Sequence, residues 1–199
     1  MRHRGRGQRR IPAQGRAVFV STVTYRRYPY FGNEILCKLL VDDLLFTTGL
    51  KRIELYGYSI LPDHLHLMFM PPQEFSYSEV IRSLKTNFAR NANDIILNRL
   101  GRPAFPAGDV TSRRLRGYEL HLRDTLPLLL RALHETCGLK HGIPRSRWQK
   151  SFHDHIIRNE HDFHAHLNYI WCNAVKHGFV RKPEDWRWMW VQGMPPIAV

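Results

Sequence analysis

The chain has 199 residues, enough for one domain with a buried core, and its 43% hydrophobic content excludes disorder as the default state. Its 30 Lys and Arg against 17 Asp and Glu give a net charge of +13, which favours polyanionic partners, nucleic acid before an anionic membrane surface. No apolar run is long enough to cross a bilayer, residues 1–10 (MRHRGRGQRR) lack the apolar stretch of a signal peptide, and three cysteines without a CxxC pair fit a reducing cytoplasm better than a zinc finger.

Residues 1–16 read as a flexible basic arm, 17–190 as a single domain and 191–199 as a tail. The alternating run at 17–24 (AVFVSTVT) predicts a first strand. Asn33 then caps a helix in which Ile35, Leu36, Leu39, Leu40, Leu44 and Leu45 recur at helical spacing, with Gly49 as its stop. Two apolar stretches, 53–60 and 64–70, are joined by Leu61-Pro62-Asp63, a tight connection between paired strands, and Pro71-Pro72 ends the second. Ser76 and Glu79 have capping-box spacing and open a helix that buries Val80, Ile81, Leu84 and Phe88. Arg82, Lys85 and Arg90 lie off that stripe, either available to a phosphate backbone or forming a solvated basic face.

From 101 to 147 an insertion is punctuated by proline and glycine. It carries a basic cluster, Arg113, Arg114 and Arg116, and one expected helix near 125–137; it reads as a DNA-binding elaboration or as a surface loop. Residues 148–158 predict a further strand. Residues 160–176 predict a helix packing through Phe163, Leu167, Ile170 and Val175 and stopped by Gly178. Trp186, Trp188 and Trp190 are spaced as in a strand or an extended segment. Strands and helices in this order, with a hairpin in the middle, predict an α+β sandwich: an antiparallel sheet with helices on one face.

Two features carry chemistry. In LPDHLHLMF, His64 and His66 flank Leu65, so a strand turns both imidazoles to one side and the leucine to the other. Two nitrogen donors on a rigid strand can converge on one divalent ion. With 12 histidines a chance His-x-His is expected, and His153-Asp154-His155 supplies a second one. The other feature is the last helix, where Tyr169 and Asn173 stand one turn apart on one face. Asn173 can add an oxygen to a metal held by the histidines, Tyr169 can attack a polarised phosphate, and Lys176 can stabilise charge there. On spacing alone, the favoured reading of Tyr169 is one of 8 tyrosines packed by its ring, and the chemical reading sharpens only when both elements are taken together.

Taken together, LPDHLHLMFMPP and WQKSFHDHIIRNEHDFHAHLNYIWCNAVKHGFV resemble the histidine-pair and tyrosine-helix signatures of single-tyrosine HUH transposases, most of all the REP-associated branch. KPEDWRW is similar to that branch's usual ending. The resemblance is loose over 17–97, close over 148–188, and does not cover the middle. It implies an RRM-like, ferredoxin-like antiparallel sheet; Tyr169 as nucleophile; His64, His66 and Asn173 as ligands to magnesium or manganese; and a single-stranded or hairpin DNA substrate. It also implies a 5′-phosphotyrosine intermediate. Ala174 departs from the pattern, which has proline there; alanine keeps the helix continuous, so Asn173 is expected to hold its place.

The alternative reading is a transposase-derived protein that binds DNA hairpins without cutting. Further down stands an RNA-binding sheet with Tyr56 and Tyr58 as stacking platforms. The sequence is compatible with a monomer or a homodimer, and a membrane-surface role is weaker because the basic arm has no apolar partners.

Overall fold

The computed structural model describes residue 13, residues 15–96 and residues 144–194. The expected helix at 125–137 and Arg113, Arg114 and Arg116 lie outside the described residues.

Five strands form one sheet: β1 (Val18–Val23), β2 (Glu54–Leu61), β3 (His64–Met70), β4 (His153–Ile156) and β5 (Met189–Val191), in the order β4-β1-β3-β2-β5. Every neighbouring pair is antiparallel. Among the described residues the α-helices are α1 (Glu34–Lys51), α2 (Tyr77–Ile96) and α3 (Glu160–Lys176). The α+β class and the antiparallel sheet are those the sequence predicts.

The strand period sorts the core into two layers. Val18, Val20, Ile60, Leu65, Leu67 and Phe69 turn to one face, where α1 and α2 bury Leu36, Leu40, Ile81, Leu84 and Phe88 against them. Tyr56 and Met68 turn to the other, against Leu167, Ile170 and Trp171 of α3 and Met189 and Val191 of β5. Expecting helices on one face therefore holds for α1 and α2 but not for α3. The reason lies in β3, whose Leu65, Leu67 and Phe69 are apolar on one side and whose Met68 is apolar on the other, so both faces need cover. Each buried Leu or Phe contributes about 1.5–3 kcal/mol relative to exposure.

Helix ends follow the sequence closely. The Asn33 side chain accepts from the amides of Ile35 and Leu36 at 3.0 and 3.3 Å. Ser76 and Glu79 form the reciprocal box, with Ser76 N donating to Glu79 Oε2 at 2.9 Å and Glu79 N to Ser76 Oγ at 3.3 Å. At the end of α3, Gly178 takes φ +73°, while the amides of Phe179 and Gly178 close on the carbonyls of Ala174 and Val175, a Schellman stop.

Three elements differ from expectation. Helix α1 runs through Gly49 and ends at Arg52, left-handed at φ 51°; its contacts with α2 outweigh the glycine's cost of about 1 kcal/mol. Strand β4 covers only part of 148–158, Trp148 meeting Thr24 through an isolated bridge. Of the three tryptophans, only Trp190 is in a strand; Trp186 instead donates its indole N–H to the Ile60 carbonyl at 3.0 Å.

Phe88 is fully buried, with the rings of Phe31 and Trp148 at 5.3 and 5.6 Å. Phe88→Ala is expected to destabilise the fold by about 3–5 kcal/mol, read as a lowered urea midpoint.

Candidate active site

On β3, Leu65 and Leu67 point into the α1/α2 layer, so His64 and His66 emerge on the α3 side. Register fixes their neighbours: His66 stands between Ser21 and Ser59, and His64 between Val23 and Leu61. Helix α3 docks on this face through Leu167, Ile170, Trp171 and Ala174, which brings Tyr169 to His66 and buries Asn173 one helical turn farther on. Ring centroids lie 4.8 Å apart for His64–His66 and 5.2 Å apart for His66–Tyr169. His177, just past the helix, adds a third imidazole 5.7 Å from His64. Lys176 Nζ sits 5.1 Å from the centre of the Tyr169 ring. Phe19 of β1 packs against His66 and Tyr169 at 5.5 and 5.8 Å. All these groups come from one chain.

Burial sets the electrostatics. Desolvation, with repulsion from His64, His177 and Lys176, pushes His66 down to about 3. His64 is also lowered, mainly by burial, although Asp63 opposes the shift. Both imidazoles are thus neutral at neutral pH, the form that binds a metal.

Several polar atoms here lack partners. Both ring nitrogens of His66, both amide atoms of Asn173 and the Ser59 hydroxyl are buried without a hydrogen bond among the described residues. Orphaned polar atoms are rare in native interiors and call for a ligand or water. Two imidazoles on adjacent positions of one ion, with bonds of about 2.1 Å, have centroids roughly 4.5–5.2 Å apart. The His64–His66 spacing lies in that range, so the two histidines could hold a divalent cation, and the buried, unpartnered Asn173 amide is a candidate third donor. Asn173 is fully buried on an unbroken helix, as Ala174 leads one to expect.

Two features escaped the sequence reading. Ser59 was legible in principle, since the two-residue turn that sets Leu61 opposite His64 also sets Ser59 opposite His66. The other is a cluster of His155, Asp162 and His166, whose potential ligand atoms lie within 4.8 Å of one another. It too could hold an ion, but its donors already serve each other. His155 Nε2 lies 2.8 Å from Asp162 Oδ2, His166 Nδ1 lies 2.8 Å from the Asp162 carbonyl, and the Arg158 amide donates to the same carboxylate at 3.0 Å. The cluster fastens the first turn of α3 to β4.

Among the described residues, the remaining predicted cations are not brought to this site. Arg82, Lys85 and Arg90 belong to α2, across the sheet. Lys85 Nζ donates to the Gln149 carbonyl at 2.6 Å, so it holds the segment before β4 and is not spare for a phosphate. Arg82 is exposed and only 3.9 Å from Glu79. Tyr56 and Tyr58 are buried in opposite layers and offer no exposed stacking surface.

Residues 17–102 match the family model described as Transposase IS200 like. A Haemophilus influenzae protein named as a REP-associated tyrosine transposase is 28% identical over 134 residues, 67% of this chain and 56% of that protein. The Escherichia coli REP-associated tyrosine transposase is 46% identical over 50 residues, 25% of this chain. Over these stretches the chain is similar to REP-associated tyrosine transposases. It spans 56% and 27% of the lengths of these two transposase relatives. The solved structure of a REP-associated tyrosine transposase bound to a REP hairpin shares the fold, with a TM-score of 0.57, 22% identity, and coverage of 92% of this chain and 81% of that one. Among the described residues, no helix is long and apolar enough to cross a membrane.

Because His66 stays neutral when folded but is protonated when unfolded below its usual value of 6.5, acid favours unfolding between 6.5 and about 3. This group alone takes away up to about 1.4 kcal/mol of stability per pH unit across that window. Urea midpoints in chelator-treated buffer are expected to fall with pH accordingly, and more shallowly in His66→Gln.

Proposed function

We propose that this protein is a metal-dependent single-stranded DNA transposase that works through a covalent tyrosine intermediate. The observation that carries the reading is the set of unpartnered buried donors of His66 and Asn173 beside Tyr169. Family kinship and the REP hairpin of the solved relative support hairpin DNA as the substrate class.

His64, His66 and Asn173 would hold magnesium or manganese, and such an ion supplies Lewis-acid polarisation of a phosphate oxygen. Tyr169 Oη attacks the scissile phosphorus and loses its proton, a new P–O bond forms to the 5′ side, and the leaving 3′ oxygen takes up a proton. The phosphodiester energy is kept in the phosphotyrosine, so the hydroxyl of a second strand can reverse the step and join to a new end. Lys176, at the face of the Tyr169 ring, favours the anionic oxygen as the phenol proton departs. Phe19 packs on the rings of His66 and Tyr169 and restricts their motion.

The test is incubation of labelled single-stranded hairpin DNA with the protein and magnesium or manganese, followed by denaturing electrophoresis. A denaturation-resistant adduct is expected, reduced at least about 1,000-fold in Tyr169→Phe and lost in His64→Ala and on chelation. Tight binding with no adduct on any cognate hairpin would instead assign the protein to binding without cutting.

Affinity should fall with salt, since each neutralised phosphate releases counterions. About six contacts would cost roughly 1,000-fold between about 50 and 200 mM, measured by fluorescence anisotropy. A flat salt profile would contradict a backbone-contact mode.

A further inference from the structure

Two hydrogen bonds meet on the Asp63 carboxylate. Its Oδ1 lies 2.5 Å from His64 Nδ1, and its Oδ2 accepts from Arg27 Nη1 at 2.9 Å. A carboxylate only accepts, so the facing nitrogen of His64 carries the proton and Nε2 keeps the lone pair that a cation needs.

Asp63 is placed with unusual care for a residue in a two-residue turn. Its carbonyl accepts from both the amide and the hydroxyl of Thr24, at 2.9 and 3.0 Å, and the neighbouring Pro62 carbonyl accepts from the Phe31 amide at 2.9 Å. The segment that delivers Arg27 is strained: Arg26 and Arg27 both take φ 55°, a left-handed conformation unfavourable for side chains other than glycine. Such residues persist only where their surroundings over-determine them. Here the Tyr25 amide bonds the Arg147 carbonyl at 2.8 Å, and the Thr24 hydroxyl bonds the Tyr28 carbonyl at 2.7 Å. The Arg27 side chain is 67% exposed, and an exposed ion pair adds little to stability. Backbone strain that aims an exposed arginine at a carboxylate therefore has its effect on orientation.

We propose that Asp63 is a positioning residue that fixes the ring and tautomer of His64, with Arg27 holding the carboxylate in place. The inference rests on the proposed metal role of His64. A histidine ligand commonly donates its second N–H to a carboxylate, which orients the ring and raises its basicity. The path runs from the turn after β1, through the turn between β2 and β3, to the first residue of β3. Among the described residues His66 has no such hydrogen bond, so His64 is the ligand whose tautomer a neighbouring side chain sets.

Two measurements on the full chain at neutral pH test this. Long-range nitrogen–proton NMR of the metal-free protein reads which His64 nitrogen is protonated, and calorimetric titration with Mn2+ alone reads affinity. The wild type should show the Nδ1–H form. Asp63→Ala should give mixed tautomers and bind Mn2+ about 10–100-fold more weakly, whereas Asp63→Asn, whose amide oxygen still accepts, keeps the Nδ1–H form and most of the affinity. Arg27→Ala, on an exposed side chain, should weaken binding in the same direction. Unchanged tautomer and affinity in Asp63→Ala overturn the proposal; should that variant not fold, unchanged values in Arg27→Ala overturn it. Absence of Mn2+ binding to the wild type counts against the metal reading itself, and the tautomer then decides the role of Asp63 alone.

Discussion

The register of β3 is the constraint on which everything else depends. This strand is paired on both edges and buried on both faces, and its side chains alternate with period two. A slip of one residue would drive His64 and His66 into the α1/α2 layer and turn Leu65 and Leu67 toward Tyr169. The Pro62-Asp63 turn and the pairings of Ser21 and Ser59 with His66 prevent that slip. Fold and site are thus products of one set of pairings, and the apolar residues between the histidines do as much to place them as the histidines themselves.

Helix α3 shows the same coupling from the other side. Leu167, Ile170, Trp171 and Ala174 bury its apolar stripe, and that stripe sets the rotation that presents Tyr169 and Asn173. Asn173 is carried into full burial without a partner among the described residues, at a desolvation cost of about 1–3 kcal/mol. The contrast with His155, Asp162 and His166 is instructive. That cluster, farther along the same face, satisfies its own hydrogen bonds and adds stability, whereas the His66–Asn173 pair leaves its valences open. Stability is given up at one point of the interface and recovered at another, as expected if the open polar atoms serve a binding site.

Much of this was legible in the sequence. The strand at 64–70, the Asn33 cap, the Ser76–Glu79 box and the bounds of α3 follow local rules of period and capping, which short segments obey whatever packs on them. The approach of Tyr169 to the histidine pair was readable because each pair of residues shares one periodic element and the resemblance links the two elements. What stayed hidden depends on contacts between distant segments. That α3 covers the second face follows from β3 being apolar on both sides, a pattern that a six- or seven-residue run shares with a strand covered on one side. The commitment of Lys85 to the Gln149 carbonyl joins residues 64 positions apart, and no spacing rule reaches that far. Tyr56 and Tyr58 have strand parity that would set both on one face, but the bulge between Leu55 and Gly57 divides them between layers.

The placement of charge bears on how a nucleic acid would meet this site. The α2 cations lie on the sheet face opposite Tyr169, and a phosphate bound at the tyrosine cannot touch them directly. Strand β4 is the edge where the two faces come closest in function: Asp154 accepts from Tyr77 of α2, while His155 reaches Asp162 of α3. A substrate contacting both faces has to pass around such an edge, with different segments on each side. Lys176 is an exposed cation beside the Tyr169 ring, placed to offset charge at a phosphate held there. The net charge of +13, spread far beyond it, acts mainly at long range, concentrating a polyanion near the protein and orienting its approach. On the proposed reading the two faces therefore divide the work: α3 supplies the groups that meet the reacting phosphate, and the exposed cations elsewhere govern capture, so salt should weaken capture more than it weakens the chemical step.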